Sequence, residues 1–372
     1  MKFICLTRII KEVVNIAERN TAKNQTLPVL NSILLIAENN KIKIRATNLE
    51  TAIEVYIPCK VESVGSVVVP AKSISSFLSN ITDEQVTFQD QKGNLLVKTS
   101  KTQTIIKGYQ SEDFPLFPKI ESNTNITLSS TDLKNSLSSV VIASSISDIK
   151  PELASVCIKI FKNNIKFIAT DSFRLAEKTI VLKNMSNDTL TSILVPQKSI
   201  LEILRIIDKP VSGKEENIKI GFNKNQFIVT DEHVCFISRL TEGVFPDYEQ
   251  IIPKNFKTEA VAKSAEMINH IKLSSVFVGR LNDLTLKFNS QKKSINFYAS
   301  NPDIGEHTSE MEVAIQGEDT SAKYNWKYLF DGISQIKSEY AVFNVSGDQT
   351  PLLIKGKGDM SYVYLVMPMR GL

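Results

Sequence analysis

The chain has 372 residues, 42% of them hydrophobic and 23% charged, with 44 basic residues against 40 acidic ones and a formal charge of +4. These proportions describe a globular protein long enough for two or three domains, and the near-balance of charge permits a polyanionic partner without requiring one. Four scattered cysteines (Cys5, Cys59, Cys157, Cys235) make no CxxC pair, so neither a disulfide framework nor a zinc site is indicated.

The N-terminal segment Met-Lys-Phe-Ile-Cys-Leu-Thr-Arg lacks the long apolar core of a signal peptide, and no run of 18 apolar residues occurs. A cytoplasmic protein with no membrane partner is expected. The first element is a helix that Thr7 can cap, with Ile10, Val13, Val14 and Ala17 on one face. A hairpin follows, Ser32–Ala37 and Lys41–Thr47, across a Glu-Asn-Asn turn that tolerates positive φ. A second helix carries Ile74, Phe77, Leu78 and Ile81 at helical spacing, with Pro70 marking its start. Alternating strands at Gln85–Phe88, Leu95–Thr99 and Thr102–Lys107 complete the first set, before Phe114-Pro115.

The same order then recurs. A helix capped by Ser130 or Thr131 buries Leu133, Leu137, Val140 and Val141. A hairpin of Ser155–Phe161 and Ile165–Thr170 turns at Lys-Asn-Asn, and a helix places Ile200, Ile203, Leu204 and Ile207 on one face. Strands at Asn217–Phe222, Gln226–Thr230 and Val234–Leu240 lead to Phe245-Pro246. In a third pass Met267, Ile268 and Ile271 mark a helix, Asn289–Lys293 a longer turn, and Leu329, Ile333 and Ile336 another helix with Gly332 in the remaining slot. Strands at Tyr340–Ser346, Leu352–Lys355 and Ser361–Met367 close it.

Two landmarks fix the period. Ala46-Thr47-Asn48, Ala169-Thr170-Asp171 and Ala299-Ser300-Asn301 end hairpins 123 and 130 residues apart. Val-Pro-Ala-Lys-Ser-Ile from Val69 and Val-Pro-Gln-Lys-Ser-Ile from Val195 have a degenerate counterpart in Tyr-Asn-Trp-Lys-Tyr-Leu from Tyr324. The reading is one α+β domain written three times, each copy with two helices packed on antiparallel sheets, over residues 1-122, 126-252 and 253-372.

No enzyme constellation accompanies the repeat. His233, His270 and His307 lie in unlike contexts without ligand spacing, and phosphate-loop, zincin and nucleophile-elbow motifs are absent. Gly356-Lys357-Gly358 reads as a turn, and Asn48 and Asp171 as turn residues that satisfy local backbone groups. No catalytic residue, metal or cofactor is expected. The six helices hold twelve basic residues, Lys72, Lys198 and Arg205 among them, against seven acidic ones. They offer no aromatics spaced for base stacking and no Arg/Asn cluster for base edges. What remains is weak, sequence-indifferent attraction to a duplex backbone. A repeat-built hydrolase or transferase with its site at a seam, and a scaffold that binds no DNA, are the rival readings.

The landmarks resemble the bacterial DNA polymerase III beta subunit family, the replicative sliding clamps. The resemblance rests on Met1-Lys2-Phe3, Thr26-Leu27-Pro28-Val29-Leu30, Arg174-Leu175-Ala176 after Ala169-Thr170-Asp171, Gly243 with Phe245-Pro246-Asp247-Tyr248, Pro253-Lys254-Asn255, and Val366-Met367-Pro368-Met369-Arg370. It implies a head-to-tail homodimer closed into a ring, with helices facing double-stranded DNA and sheets outside. It implies Ile106 and Leu273 at the dimer seam and DNA-facing loop positions at Asn24 and Ser147–Lys150, where Lys150 is basic. It implies as partners the DNA polymerase III alpha subunit, the clamp loader, and other polymerases and repair proteins that insert short Leu/Phe peptides. The positions matching that pocket are Leu153, Thr170, Ser172, Phe173, Arg174, Leu175, Pro246, Ile251, Val366, Met367, Pro368, Met369 and Arg370. Ser172-Phe173 stands where the family often has Gly-His, Gln250 where a basic residue is frequent, and Gly371 follows the arginine.

Overall fold

The computed structural model describes residues 1–22, 27–118, 124–182, 191–209, 211 and 217–369. Each third of the chain runs through a strand, a helix, a group of strands, a second helix and three further strands. The first third comprises β1 (Lys2–Leu6), α1 (Thr7–Arg19), β2 (Ser32–Glu38), β3 (Lys41–Thr47), β4 (Thr51–Pro58), β5 (Lys60–Ser63), β6 (Gly65–Pro70), α2 (Ala71–Ser79), β7 (Gln85–Gln91), β8 (Asn94–Lys98) and β9 (Gln103–Ile106). The second comprises β10 (Thr124–Ser129), α3 (Ser130–Val141), β11 (Ser155–Ile160), β12 (Asn164–Thr170), β13 (Arg174–Val181), β14 (Thr191–Pro196), α4 (Gln197–Asp208), β15 (Asn217–Phe222), β16 (Gln226–Thr230) and β17 (Val234–Arg239). The third comprises β18 (Thr258–Lys263), α5 (Ser264–Ser275), β19 (Asp283–Asn289), β20 (Ser294–Asn301), β21 (Gly305–Glu312), β22 (Ala314–Gly317), β23 (Thr320–Asn325), α6 (Trp326–Ser334), β24 (Tyr340–Val345), β25 (Leu352–Gly356) and β26 (Tyr362–Val366).

The three repeats do not pack as three units. The chain forms two, Met1–Lys134 with Leu201–Leu240, and Asn135–Ile200 with Thr241–Leu372. Sheet pairing explains the division. In the first unit β17 of the second repeat pairs with β4 of the first, Phe236 opposite Ile53, which fuses two half-sheets into one of eight strands. In the second unit β26 of the third repeat pairs with β13 of the second, Leu175 opposite Leu365, giving a nine-stranded sheet. Backbone hydrogen bonds therefore cross each seam, and the central repeat is shared between its neighbours. The half-sheets at the two ends of the series stay separate, with five strands ending at β9 and four ending at β21.

Burial follows the helical stripes. Ile10, Val13, Val14 and Ala17 of α1, Ile74 and Leu78 of α2, Ile200 and Ile203 of α4, and Leu329 and Ile333 of α6 are buried. Ile206 is buried in α4 where Ile207 was expected, and Ile81 lies past the end of α2. The capping expectations need correction. Thr7 opens α1, but its Oγ1 is buried without a hydrogen-bond partner. Ser129, not Ser130 or Thr131, caps α3 by accepting the Asp132 N–H at 3.0 Å. In the first hairpin Asn39 and Asn40 take φ of 42° and 58°, the left-handed pair that a two-residue turn requires. The second copy closes without positive φ, the Phe161 N–H donating to the Asn164 carbonyl at 2.8 Å.

Gly332 interrupts the α6 stripe for a steric reason: a Cβ there would lie 2.1 Å from the Tyr364 ring. Tyr364 is fully buried, and its hydroxyl donates to the Tyr328 carbonyl at 3.0 Å, so the ring cannot swing clear. Gly332→Ala is expected to destabilise the fold by about 1–3 kcal/mol through overpacking, despite alanine's better helix propensity. A chemical-denaturation midpoint checks this, and an unchanged or higher midpoint would refute it.

Candidate functional site

Residues 170–174 form a turn built by side chains. Asp171 Oδ1 accepts the N–H groups of Phe173 and Arg174, both at 2.9 Å. Thr170 Oγ1 accepts the Ser172 N–H at 3.2 Å and donates to the Arg174 carbonyl at 2.7 Å. Ser172 takes φ of 78°, a conformation unfavourable for a residue with a side chain. The first repeat solves the same problem in the same way. Asn48 Oδ1 accepts from Glu50 and Thr51, Thr47 Oγ1 accepts from Leu49 and donates to the Thr51 carbonyl, and Leu49 has φ of 73°. The repeated Thr-Asn/Asp signature is thus a turn device, as the sequence reading held.

In the second repeat this turn meets the C-terminal strand. Arg174 lies opposite Val366, and the Met367 N–H donates to the Phe173 carbonyl at 2.8 Å. The Met369 N–H donates to the Lys323 carbonyl at 2.7 Å, which ties down the segment after β26. Among the pocket positions Leu153, Thr170, Leu175 and Val366 are buried. Met367, Pro368 and Met369 are part-exposed, Ser172 and Pro246 exposed, and the side chains of Phe173 (61% exposed) and Ile251 (49%) stand in solvent. Arg370 lies outside the described residues. The resulting surface has apolar groups at two depths, which suits aliphatic and aromatic anchors.

Tyr248, whose role the sequence reading missed, holds one flank. It is fully buried and packs with Leu175, Leu365, Cys157 and Ile168. Its hydroxyl donates to Glu177 at 2.5 Å, and Glu177 is also paired with Lys166 at 3.0 Å. Burial and the neighbouring Glu177 carboxylate both push the phenol's pKa up. Because the Ile251 N–H donates to the Tyr248 carbonyl at 3.0 Å, this anchor fixes where Ile251 stands. The signal for it was present in the sequence as the last residue of Phe245-Pro246-Asp247-Tyr248.

Arg174, another of the pocket positions, is engaged by groups of its own chain. Its guanidinium bonds Asp171 Oδ2 at 3.1 Å and Asp331 Oδ2 at 2.6 Å, and lies 4.2 Å from the Tyr328 ring centroid. It bolts the turn to α6. Gln250 donates to Asp247 at 2.6 Å.

The expected DNA-facing residues have varied surroundings. Lys72 on α2 and Lys150 are exposed. Lys198 pairs with Asp148 at 2.8 Å, and Arg205 with Glu202 at 3.2 Å, a carboxylate that Arg19 also meets at 3.0 Å. Lys134 pairs with Asp208 and Lys263 with Glu266. The helices' basic excess is thus partly neutralised by local pairing. Asn24 lies outside the described residues. Of the positions expected at a dimer seam, Leu273 is half exposed and Ile106 is buried (8% exposed), while its neighbour Ile105 carries the open side of β9 (53%). Strand alternation puts these two side chains on opposite faces. Against the expectation that the helices offer no aromatics spaced for base stacking, α6 carries three rings, Trp326, Tyr328 and Phe330. His270 stacks on Phe297 and bonds Ser309 at 2.9 Å, a packing role. Among the described residues no acidic, histidine or cysteine group could hold a metal, and no helix is long and apolar enough to cross a membrane.

Comparison with known proteins gives one answer along the whole chain. Family models for the DNA polymerase III beta subunit match residues 1–118 (N-terminal domain), 127–247 (central domain) and 249–370 (C-terminal domain). The beta sliding clamp of Bacillus subtilis (strain 168) is 26% identical and covered in full, as is this chain, and that of Staphylococcus aureus (strain N315) is 26% identical with 93% of each chain covered. The crystal structure of the Bacillus subtilis DNA polymerase sliding clamp superposes with a TM-score of 0.93 at 26% identity, and that of the Pseudomonas aeruginosa DNA polymerase III subunit beta with 0.92 at 21%, both over all of each chain. This chain therefore belongs to the DNA polymerase III beta subunit family, whose three-domain members are processivity clamps of replication with DNA and polymerase as partners, and not enzymes.

Proposed function

We propose that two copies of this chain join head to tail into a ring that encircles duplex DNA and tethers the replicative polymerase. One observation carries the reading. At each internal seam the last strand of one repeat pairs with the strand after the hairpin of the repeat before it: β17 with β4, then β26 with β13. Extending that rule along the series leaves one edge of each kind without a partner, β9 and β21. Such edges call for pairing, and a second copy supplies both. Charge supports the match: β21 carries Glu306, Glu310 and Glu312, while Lys98, Lys101 and Lys107 flank β9. Ile105 and Leu273 then join the seam.

In this reading residues 1-122, 126-252 and 253-372 are the three clamp domains of a cytoplasmic protein, and Lys72, Lys150, Lys198 and Arg205 face the DNA. The surface around Leu153, Phe173, Leu175 and Met367 receives the short Leu/Phe peptides of the DNA polymerase III alpha subunit, the clamp loader and repair proteins. Topology is the test. Once loaded, the dimer is expected to stay on closed circular DNA and to leave when the circle is linearised. Retention that does not depend on closure, or a monomer by native mass at micromolar concentration, would overturn the reading.

A further inference from the structure

The cleft between α5 and α6 has none of the peptide positions in its lining, although its Asp331 meets Arg174. It is an open depression of about 330 Å³, lined by Lys272 and Ser275 of α5 and by Trp326, Lys327, Phe330 and Asp331 of α6. Three features set its chemistry. Its aromatic groups are part-exposed and held in place: the Trp326 indole N–H donates to Asn282 Oδ1 at 3.3 Å, and the Trp326 and Phe330 rings meet edge to face at 6.4 Å. Its cations sit against those rings, Lys272 5.4 Å from the Phe330 centroid and Lys327 6.0 Å from that of Trp326. Its one carboxylate, Asp331, is engaged by Arg174 at 2.6 Å, so the cleft presents a net positive, aromatic-walled surface.

From this juxtaposition we infer that the α5–α6 cleft binds an unpaired nucleotide of single-stranded DNA, the base against Trp326 and Phe330 and the adjoining phosphates on Lys272 and Lys327. Aromatic platforms with ammonium groups beside them are how single strands are held without sequence preference. A duplex offers the same phosphates but keeps its bases stacked and paired, so it satisfies only half of the cleft. The inference adds a single-strand contact to the proposed clamp without depending on ring closure.

Trp326 is the only tryptophan of the chain, so its fluorescence reports on this cleft alone. Titrating the intact protein with a 15-nucleotide oligo-dT at low salt is expected to quench that emission by half or more. A blunt duplex hairpin and an abasic oligonucleotide of equal length are expected to quench far less. The exposed pair Lys272→Gln and Lys327→Gln is expected to weaken the oligo-dT response about tenfold with the unbound spectrum unchanged. No quenching by oligo-dT, or equal quenching by duplex or abasic strands, would overturn the assignment. Failure of the circular-DNA test with quenching intact would instead count against the ring.

Discussion

Arg174→Ala is expected to cost about 2–4 kcal/mol of stability, more than loss of a surface ion pair would cost. The Arg174 and Asp171 side chains are 10% and 13% exposed, so removing the guanidinium leaves a largely buried carboxylate unpaired. Asp331, at 35%, recovers part of its loss from water, which keeps the figure below that for a fully buried triad. The stacking of Arg174 on Tyr328 adds to the loss. Arg174→Lys keeps the charge but not the planar fork that reaches two carboxylates, so it is expected to recover only part of the deficit. Denaturant midpoints at constant slope would measure both, and a double-mutant cycle with Asp331→Asn would isolate the pair. Additive effects in that cycle would mean that Arg174 acts through Asp171 alone and does not bolt the turn to α6.

The repeat was legible because its signals are local. The Ile74–Leu78 and Ile200–Ile203 stripes, the Asn39-Asn40 turn and the Thr-Asx signature each reflect residues a few positions apart, and each recurs with the period of the domain. What escaped was set by distant partners. Strand β4, Thr-Ala-Ile-Glu-Val-Tyr-Ile-Pro, alternates at Ile53, Val55 and Ile57, but its pairing with β17 depends on residues of the next repeat. Strand β21, Gly-Glu-His-Thr-Ser-Glu-Met-Glu, is mostly exposed and reads as a loop. These strands decide how repeats join, which is why three repeats could be counted while the two packing units could not. The site divides in the same way. The Asp171 turn could be read from its own residues, but Arg174's partner Asp331 lies 157 residues away. The peptide positions came from family resemblance rather than periodicity. The α6 rings stand in the sequence, but their grouping with Lys272 of α5 depends on a helix distant in the chain.

A Gln-Leu-x-Leu-Phe peptide is expected to bind the intact chain in the micromolar range and to lose that binding at least about 100-fold when residues 367–372 are removed. The segment supplies Met367 and Met369, whose backbone N–H groups reach the Phe173 and Lys323 carbonyls, so truncation removes both the apolar lip and its anchors. Phe173 gives the finer test. Its neighbours hold it at a strained Ser172 with the ring in solvent, where most of its apolar surface remains to be buried. Partial burial of a phenyl ring contributes about 1.4 kcal/mol, so Phe173→Ala is expected to weaken the peptide about tenfold. Phe173→His, nearer the residue pair common in the family, is expected to keep part of the affinity and to make it depend on pH between about 6 and 7, through a charge the native side chain lacks. Binding that survives truncation in a folded chain would place the partner site elsewhere. Binding that needs residues 367–372 but ignores Phe173 would keep the site and remove the ring from it, leaving the strained turn with the single task of meeting β26.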